Sequence, residues 1–221
     1  STVVLSTKET LIDMAMAPSG ALWASYYEVG TLRIRGGEAE KVSADPYDHF
    51  VFRGAGEVWA TTASIGWEVA RFDGTAWTKL RKREDFKGTY DDNKLNDLAV
   101  TSDAVWVSSW NGLFRFTGQA WEVVPGPKDH TSGRAPYRLI GRGRDLAAEY
   151  SDGFFAFRDG AWRPVSWPAS GSIVAMNGKG AAAGQKSGAR GVVLGAPLSG
   201  APASAIPVVP GGDPNDMALD E

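Results

Sequence analysis

The chain has 221 residues, a net charge of −3 and no cysteine. This length suits one domain, and without cysteine neither a disulfide framework nor a thiolate metal site can form. The charge is not gathered into a basic block, which argues against nucleic-acid binding, and no apolar stretch is long enough to span a membrane. A cysteine-free chain is compatible with the cytoplasm and with the periplasm, so the sequence leaves the compartment open.

A short phrase with a central tryptophan recurs along the chain at intervals of about 40 residues. Its clear copies contain Trp23, Trp59 and Trp106, and weaker copies without tryptophan lie at 144–149 and 179–184. Self-similarity at this period is typical of solenoids, arrays and propellers. The recurrence therefore indicates a fold built from repeated units.

A second phrase follows three of these copies and runs from a phenylalanine through a glycine to a tryptophan. It lies at 72–77, 116–121 and 157–162. Two short apolar runs joined by a glycine-bearing turn are typical of a β-hairpin. A similar pair of runs surrounds each tryptophan of the first phrase, so each repeat holds four short strands. Four antiparallel strands in a repeat of this length are the unit of a β-propeller blade.

We therefore predict an all-β chain folded as a β-propeller of four-stranded antiparallel blades. A lone sheet cannot bury both of its faces, whereas sheets ringed about an axis cover one another. The repeated tryptophans are expected to fill the gaps between sheets, because buried aromatic side chains dominate the energetics of protein cores. A structural role is favoured over a ligand role for Trp23, Trp59, Trp77, Trp106, Trp121 and Trp162.

The blades are predicted in chain order within a single propeller domain that spans residues 1–221. Five full blades are expected at about 9–44, 49–84, 94–127, 137–167 and 172–209. Segment 1–8 resembles the fourth strand of a blade, and segment 214–221 resembles the first strand of a blade. Together these two closing strands make a partial sixth blade.

Three ways of completing the ring remain open. The sequence could be part of a larger propeller, the two end strands could pair and close the ring as a thin sixth blade, or a five-bladed ring could carry both ends outside it. We favour the six-fold ring with an incomplete closing blade. Such a blade would present open strand edges, through which the protein could self-associate.

The fifth predicted blade differs in composition from the others. No aromatic residue occurs from Pro168 to Glu221, where Gly, Ala, Ser and Pro dominate. Apolar runs at 172–176 and 191–194 still favour strands over a linker. Because small side chains bury less apolar surface, this blade is expected to be the least stable.

Tyrosine and histidine side chains are predicted to gather on one face, formed by the loops between second and third strands and between successive blades. Tyrosine is amphipathic and suits recognition surfaces, although a simple preference for a half-exposed rim would give the same pattern. Two long loops, 84–93 and 125–136, add to this face. The first could bind calcium but is interpreted as a solvated acidic loop. The candidate ligand-binding residues are Tyr26, Tyr27, Tyr47, His49, Tyr90, Trp110, His130, Tyr137, Arg138 and Tyr150.

Acidic and amide side chains are predicted to converge where the innermost strands begin. Asp13, Asp97 and Asp216 occupy equivalent positions, and Asn96 and Asn215 precede two of them. Carboxylates that lie close together repel one another unless a cation or protonation relieves them, so these five residues are candidate calcium ligands. The favoured alternative is that each aspartate accepts backbone hydrogen bonds and fixes a loop.

The best-formed repeat resembles a known family. Its segments 96–100, 105–109 and 111–116 place an aspartate on the first strand, a tryptophan on the second and a Gly-Leu-Phe phrase on the third. This pattern resembles the repeats of bacterial two-component-regulator-type (Reg_prop-like) propellers. The resemblance implies a noncatalytic sensory module that binds a protein or a ligand.

A second resemblance rests on the segment 214–220. It is similar to the inner-strand motif of calcium-dependent lactonase and phosphotriesterase propellers, in which Asn and Asp residues hold a catalytic calcium. The matching positions are Asn96, Asn215 and Asp13. This resemblance places no catalytic glutamate, and His49 is a partner only through the proximity of its loop.

Other catalytic signatures are missing: no Gly-x-Ser-x-Gly elbow and no phosphate-binding loop is present. We therefore predict a noncatalytic propeller that binds a partner protein or a small polar ligand, such as a glycan, through its tyrosine-rich face. The alternative is a calcium-dependent hydrolase of small esters or lactones, with the metal at the mouth of the channel.

Overall fold

The computed structural model describes residues 9–62, 68–81, 95–130 and 133–165, together with four later strands at 171–176, 182–186, 191–196 and 201–207. Within these ranges the chain is all β, as predicted, and contains no helix. No helix that could cross a membrane is found in the described part of the chain. The predicted closing strands, 1–8 and 214–221, lie outside the described residues.

In the part of the chain that the structure describes, twenty strands form five antiparallel sheets of four, and each sheet uses its strands in chain order. Sheet 1 contains β1 Leu11–Met16, β2 Leu22–Tyr26, β3 Gly30–Arg35 and β4 Glu38–Ser43. Sheet 2 contains β5 Tyr47–Arg53, β6 Glu57–Thr62, β7 Val69–Phe72 and β8 Trp77–Arg81. Sheet 3 contains β9 Leu95–Val100, β10 Val105–Ser109, β11 Gly112–Phe116 and β12 Trp121–Val124. Sheet 4 contains β13 Arg138–Arg142, β14 Asp145–Tyr150, β15 Gly153–Arg158 and β16 Ala161–Val165. Sheet 5 contains β17 Gly171–Met176, β18 Ala182–Lys186, β19 Gly191–Ala196 and β20 Ala201–Pro207.

The strand order within every sheet is the one expected of a propeller blade, with neighbouring strands joined as hairpins. Sheet 2 begins at Tyr47, slightly before the expected start of the second blade. The chain also forms two compact units, one made of Ser1–Val100 with Ser109–Asn111 and the other of Thr101–Ser108 with Gly112–Glu221. The prediction of a single domain over 1–221 stays a prediction.

In the first unit, Trp23 of β2 packs between sheets 1 and 2. Its ring lies 5.2 Å from that of Phe72 and 6.0 Å from that of Trp77, both edge-on. Edge-to-face packing of this kind is favourable beyond the area it buries. The predicted structural role of Trp23 is confirmed, because the side chain is buried against the Phe-to-Trp hairpin of the next sheet.

The second unit repeats this arrangement between sheets 3 and 4. The ring of Trp106 lies 5.2 Å from that of Phe157, and Phe157 lies 5.1 Å from Trp162. Trp106 and its counterparts Trp23 and Trp59 are all buried on the second strand of their sheets. Similar burial of the tryptophans at equivalent strand positions is expected if the sheets are repeated blades.

An arginine accompanies each of these tryptophans on the neighbouring third strand. The guanidinium carbon lies 5.9 Å from the ring centroid for Arg33 over Trp23, 6.0 Å for Arg71 over Trp59 and 5.3 Å for Arg115 over Trp106. Such cation–π contacts hold the long arginine stem flat on the indole.

The fourth sheet lacks both members of the pair. Ala147 and Ala156 face each other in the register of β14 and β15, where sheets 1 to 3 have tryptophan and arginine. Ile140 and Val165 pack against these two alanines. The fourth repeat therefore keeps its strands while small aliphatic residues replace the tryptophan–arginine pair.

Candidate functional site

The loop between β12 and β13 is described at 125–130 and 133–136. The backbone N–H of His130 donates to the carbonyl of Pro127 at 3.1 Å. The indole N–H of Trp162, on β16, donates to the carbonyl of Pro125 at 2.7 Å. The first bond forms a turn at 127–130, and the second ties the start of the loop to sheet 4.

His130 is the most enclosed polar side chain of this loop, with 6% of its side chain exposed. Its Nδ1 lies 2.6 Å from a carboxylate oxygen of Asp152, and its Nε2 lies 2.7 Å from the carbonyl oxygen of Arg134. Both partners are acceptor oxygens, so both ring nitrogens are engaged. In this geometry His130 holds the loop and offers no nitrogen to a substrate or a metal ion.

Tyr150, the last residue of β14, lies beneath this loop and is 3% exposed. Its ring centroid is 4.4 Å from that of His130 and 5.5 Å from that of Phe155. Its hydroxyl is buried and has no hydrogen-bond partner in the described part of the chain. Burial, and then the negative charge of Asp152, raise the pKa of the phenol above its usual value, so the hydroxyl keeps its proton and can donate.

A pocket of about 270 Å³ opens between this loop and sheets 3 and 4, and we call it the loop pocket. It is lined by Gly112, Leu113, Val124, Gly126, Pro127, His130, Gly133, Arg134, Ala135, Pro136 and Tyr150. Its wall combines apolar and polar surface, and the Tyr150 hydroxyl is buried and has no partner in the described part of the chain. A concavity with apolar surface and placed polar groups is typical of ligand sites.

A wider cleft of about 700 Å³ lies between β12 and the hairpin β15–β16, toward the outer strands of the two sheets. It shares Val124, Gly126 and Pro127 with the loop pocket. Trp162 lines this cleft and also holds Pro125. The segment 124–127 therefore forms a wall common to both concavities.

Tyr137 and Arg138 flank the pocket at the start of β13. Tyr137 is 49% exposed. Its hydroxyl donates to the carbonyl of Tyr150 at 3.1 Å, and its backbone N–H donates to that of Glu149 at 3.0 Å. Burial, and then the Glu149 carboxylate, raise the pKa of the Tyr137 phenol. These hydrogen bonds fix the position of Tyr137 while about half of the residue stays exposed to solvent.

Three other candidate residues also lie at turns after second strands. Tyr26 ends β2 and faces Gly30 across the hairpin. Tyr27 is 51% exposed, and Trp110, which follows β10, is 54% exposed. Rigid aromatic rings that face solvent at a turn are suited to recognition, and their role as ligand contacts stays a prediction.

Two of the candidate tyrosines have buried rings, and their role in ligand binding stays a prediction. Tyr47 is the first residue of β5, and its ring stacks 4.1 Å from that of Trp77. Its backbone N–H donates to the hydroxyl of Ser25, on the neighbouring sheet, at 2.8 Å. Tyr150 is also buried and lines the loop pocket. Both rings fill space between sheets, which their sequence position beside a loop did not reveal.

His49 lies at an irregularity in β5, where the pairing with β6 shifts between Asp48 and Val51. Its φ of 52° is in the left-handed region, which is uncommon for a residue other than glycine. A β-bulge re-aims side chains locally, and here it leaves His49 exposed, with Nδ1 at 3.5 Å from the Thr61 hydroxyl. Tyr90 lies outside the described residues.

The predicted calcium ligands are only partly described, and those that are visible bind the backbone. Asp13 accepts from the N–H of Met14 at 2.8 Å and from that of Phe50 at 3.3 Å, which links β1 to β5. Asp97 accepts from the N–H of Leu98 at 2.8 Å. These contacts agree with the loop-fixing alternative.

No group of three or more His, Cys, Asp or Glu suited to a metal ion occurs among the described residues. Asn96 is described and is hydrogen-bonded or otherwise engaged. The remaining candidates, Asn215 and Asp216, and the acidic loop 84–93 lie outside the described residues. Calcium binding at these positions therefore stays a prediction.

Sequence reasoning missed one residue that lines the loop pocket and one that supports it. Asp152, which binds His130, lies in the short turn between β14 and β15, one of the turns that make up the predicted ligand face. Gly126 lines the pocket next to the Tyr150 hydroxyl. A glycine between two prolines carries no sequence signal for such a position, because the proximity arises only in three dimensions.

Comparison with known proteins identifies the fold. No family model matches the sequence, and a search of curated proteins finds no match. Among solved structures, streptogramin B lyase has a TM-score of 0.70 at 11% identity, covering 96% of this chain and 73% of that one. The extracellular domain of BT4673 from B. thetaiotaomicron, named as a one-component system, has a TM-score of 0.61 at 10% identity over 93% of this chain. YCF48 from Cyanidioschyzon merolae has a TM-score of 0.55 at 14% identity, covering 88% of this chain and 69% of that one.

These similarities confirm the predicted β-propeller fold with four-stranded antiparallel blades. The predicted likeness to regulator-type propellers is confirmed at the level of fold by the extracellular domains of the B. thetaiotaomicron systems. This chain spans 29% of the BT4673 chain that it matches. At such low identity the likeness defines the class of protein by its fold alone.

Proposed function

We propose that this propeller is a noncatalytic module that binds a partner protein or a small polar ligand, such as a glycan, through its second-to-third-strand and inter-blade loops. The observation that carries the proposal is the loop pocket, which combines an apolar wall with one buried hydroxyl and a half-exposed aromatic neighbour, Tyr137. One structural neighbour, YCF48, is recorded bound to the D1 peptide. A propeller of this fold therefore can serve as a peptide-binding scaffold.

The chemistry of the pocket supports binding rather than catalysis. The ring nitrogens of His130 are both engaged, so it is not placed to act as a general base. The phenol of Tyr150 stays protonated, because burial raises its pKa, and a protonated phenol is a hydrogen-bond donor rather than a nucleophile. The side chains are held rigidly, which lowers the entropic cost of binding.

The test is a screen of the full chain against a glycan array and a phage-displayed peptide library, followed by calorimetry with the best ligand. We expect Tyr137→Ala to weaken binding about tenfold, because a central aromatic contact typically contributes more than about 1 kcal/mol. Met16→Ala, which removes a side chain that is even more exposed on β1, serves as the control and should leave the affinity unchanged.

Two results would contradict the proposal. One is the absence of any ligand from both classes, and the other is a ligand whose affinity is the same for the wild type and Tyr137→Ala. Calcium-dependent turnover of a lactone or ester, lost in Asn96→Ala, would instead support the hydrolase alternative.

A further inference from the structure

We propose that the loop pocket takes a small ligand group that carries an acceptor oxygen on a compact apolar body, with the oxygen hydrogen-bonded to the Tyr150 hydroxyl. This inference rests on the proposed binding function and specifies the chemistry of the ligand. It follows from one unsatisfied donor, from the shape and lining of the space in front of it, and from a glycine that keeps that space open.

The donor is the first element of the argument. The Tyr150 side chain is almost fully buried, and its hydroxyl has no partner in the described part of the chain. Leaving a buried hydroxyl unpaired is unfavourable, and nearly all buried polar groups in native proteins find a partner. A ligand oxygen placed against this hydroxyl would recover that cost on binding.

The neighbouring polar groups direct the choice of ligand. His130 and Asp152 already bind each other, and the second ring nitrogen of His130 binds the Arg134 carbonyl. Among the described residues that line the pocket, the Tyr150 hydroxyl is the buried side-chain atom without a partner. Because the hydroxyl keeps its proton, the complementary ligand atom is an acceptor, such as a carbonyl oxygen.

The size and wall of the pocket restrict the remainder of the ligand. A volume of about 270 Å³ corresponds to about nine water molecules at ~30 Å³ each. Leu113, Val124, Pro127, Ala135 and Pro136 supply apolar surface around it. A compact apolar body that covers this surface gains from leaving water.

Gly126 leaves open the space in front of the hydroxyl. A Cβ atom added at this position would lie 3.8 Å from the Tyr150 hydroxyl oxygen and would have no other heavy atom nearby among the described residues. That distance is an ordinary van der Waals contact, so Gly126→Ala should fold normally. The added methyl group would nevertheless occupy the position from which a ligand oxygen approaches the hydroxyl.

The experiment uses the full chain and a matched pair of probes, cyclopentanone and cyclopentane, whose binding is followed by chemical shift changes in the labelled protein. Wild type is expected to bind cyclopentanone about tenfold more tightly than cyclopentane, since one hydrogen bond to a buried unpaired group has about that effect. Tyr150→Phe should abolish the difference while retaining the ring. Gly126→Ala should weaken cyclopentanone binding, and Gly56→Ala, in a turn with open space around it, should not.

A second arm separates the two natural sources of such an oxygen. N-acetylproline methylamide carries its carbonyl groups in a peptide, whereas cyclopentanone represents a free small molecule. Tighter binding of the peptide probe, again lost in Tyr150→Phe, would assign the pocket to a peptide residue, and tighter binding of the ketone would assign it to a small molecule.

The inference fails if both ring probes bind equally well to the wild type, or if the preference for the ketone survives in Tyr150→Phe. It also fails if no probe binds, since the hydroxyl then has an ordered water as its only partner. In each of these cases, a ligand found in the glycan or peptide screen whose affinity depends on Tyr137 would leave the proposed binding function standing.

Discussion

At the scale of single residues, Asp73 shows how one exposed side chain fixes a turn. It follows β7, and one of its carboxylate oxygens accepts from the N–H of Thr75 at 2.9 Å, the hydroxyl of Thr75 at 2.7 Å and the N–H of Ala76 at 3.0 Å. Hydrogen bonding to the charged form, first of all from the Ala76 N–H, lowers the pKa of Asp73 to about 2. The predicted hairpin at 72–77 has its turn here, and these three hydrogen bonds to Asp73 hold that turn.

The lowered pKa predicts how acid affects the turn. The pKa of Asp73 in the folded protein, about 2, lies below its usual value of 3.8. The stability that the charged Asp73 contributes is therefore fully present above pH 3.8 and is lost as the pH falls through about 2. Urea unfolding should therefore show a difference between wild type and Asp73→Ala that is constant near neutral pH and shrinks below about pH 4.

Asp73→Asn is the matched control for this measurement, because an amide oxygen can still accept in the turn but does not titrate. Its stability relative to wild type should improve as the pH falls over the same range. A difference between wild type and Asp73→Ala that stays constant down to about pH 2 would contradict the assignment.

At the scale of strands, two tryptophans near each other in the chain illustrate opposite roles. Trp106 is the second residue of β10, is buried, and donates its indole N–H to the Thr101 hydroxyl at 3.1 Å. Trp110 follows the same strand and is about half exposed. The end of the strand at Ser109 therefore separates an indole of the core from one that faces solvent.

This contrast predicts that replacing each tryptophan by alanine will lower the free energy of unfolding by very different amounts. Trp106→Ala should lower the free energy of unfolding by about 3–5 kcal/mol, because it leaves a large cavity between sheets. Trp110→Ala should change it by no more than about 0.5 kcal/mol, as is usual for surface positions. Urea unfolding of the two variants at one pH measures both values, and similar losses in the two would show that Trp106 is not a core residue.

The same comparison explains what sequence could and could not predict. Trp23, Trp59 and Trp106 were assigned correctly because a repeated residue at a repeated position reports a repeated environment. The burial of the Tyr47 and Tyr150 rings was not foreseen, because a single residue at a strand end borders both a loop and the core. Register and backbone direction decide between these two environments, and neither can be deduced from residue type.

The loop pocket shows a related limit. His130 and Tyr150 were both expected at the ligand face, but their contact with each other, at 4.4 Å between ring centroids, is a tertiary feature that the sequence does not reveal. The partner Asp152 is distant from His130 in sequence and shares no motif with it. Pairwise contacts between different repeats are not encoded in the periodicity that identifies the fold.

At the scale of the molecule, the five sheets share one strand order but not one composition. The sheets of the first four repeats contain aromatic residues, whereas the segment that contains sheet 5 has none from Pro168 to Glu221. Because apolar burial is the main favourable term in folding, stability should vary between repeats that have the same topology.

Hydrogen exchange of the native protein would reveal this variation. Amides of β18 and β19 should exchange faster than those of β10 and β11, although each of these strands lies in the interior of its own four-stranded sheet. Local opening with a lower free energy is the physical reason. Equal protection of the two sheets would mean that the small side chains of the fifth repeat pack as effectively as the aromatic ones of the third.

The alanine pair of sheet 4 has a consequence for how these repeats could have diverged. Since Ala147 and Ala156 face each other where other repeats have an indole beneath a guanidinium, an exchange between the two solutions requires two codon changes. Replacing the tryptophan first leaves the arginine without its aromatic neighbour, and replacing the arginine first leaves the indole without its cation. If the blades arose by duplication, the residues at these two positions would therefore be expected to change together.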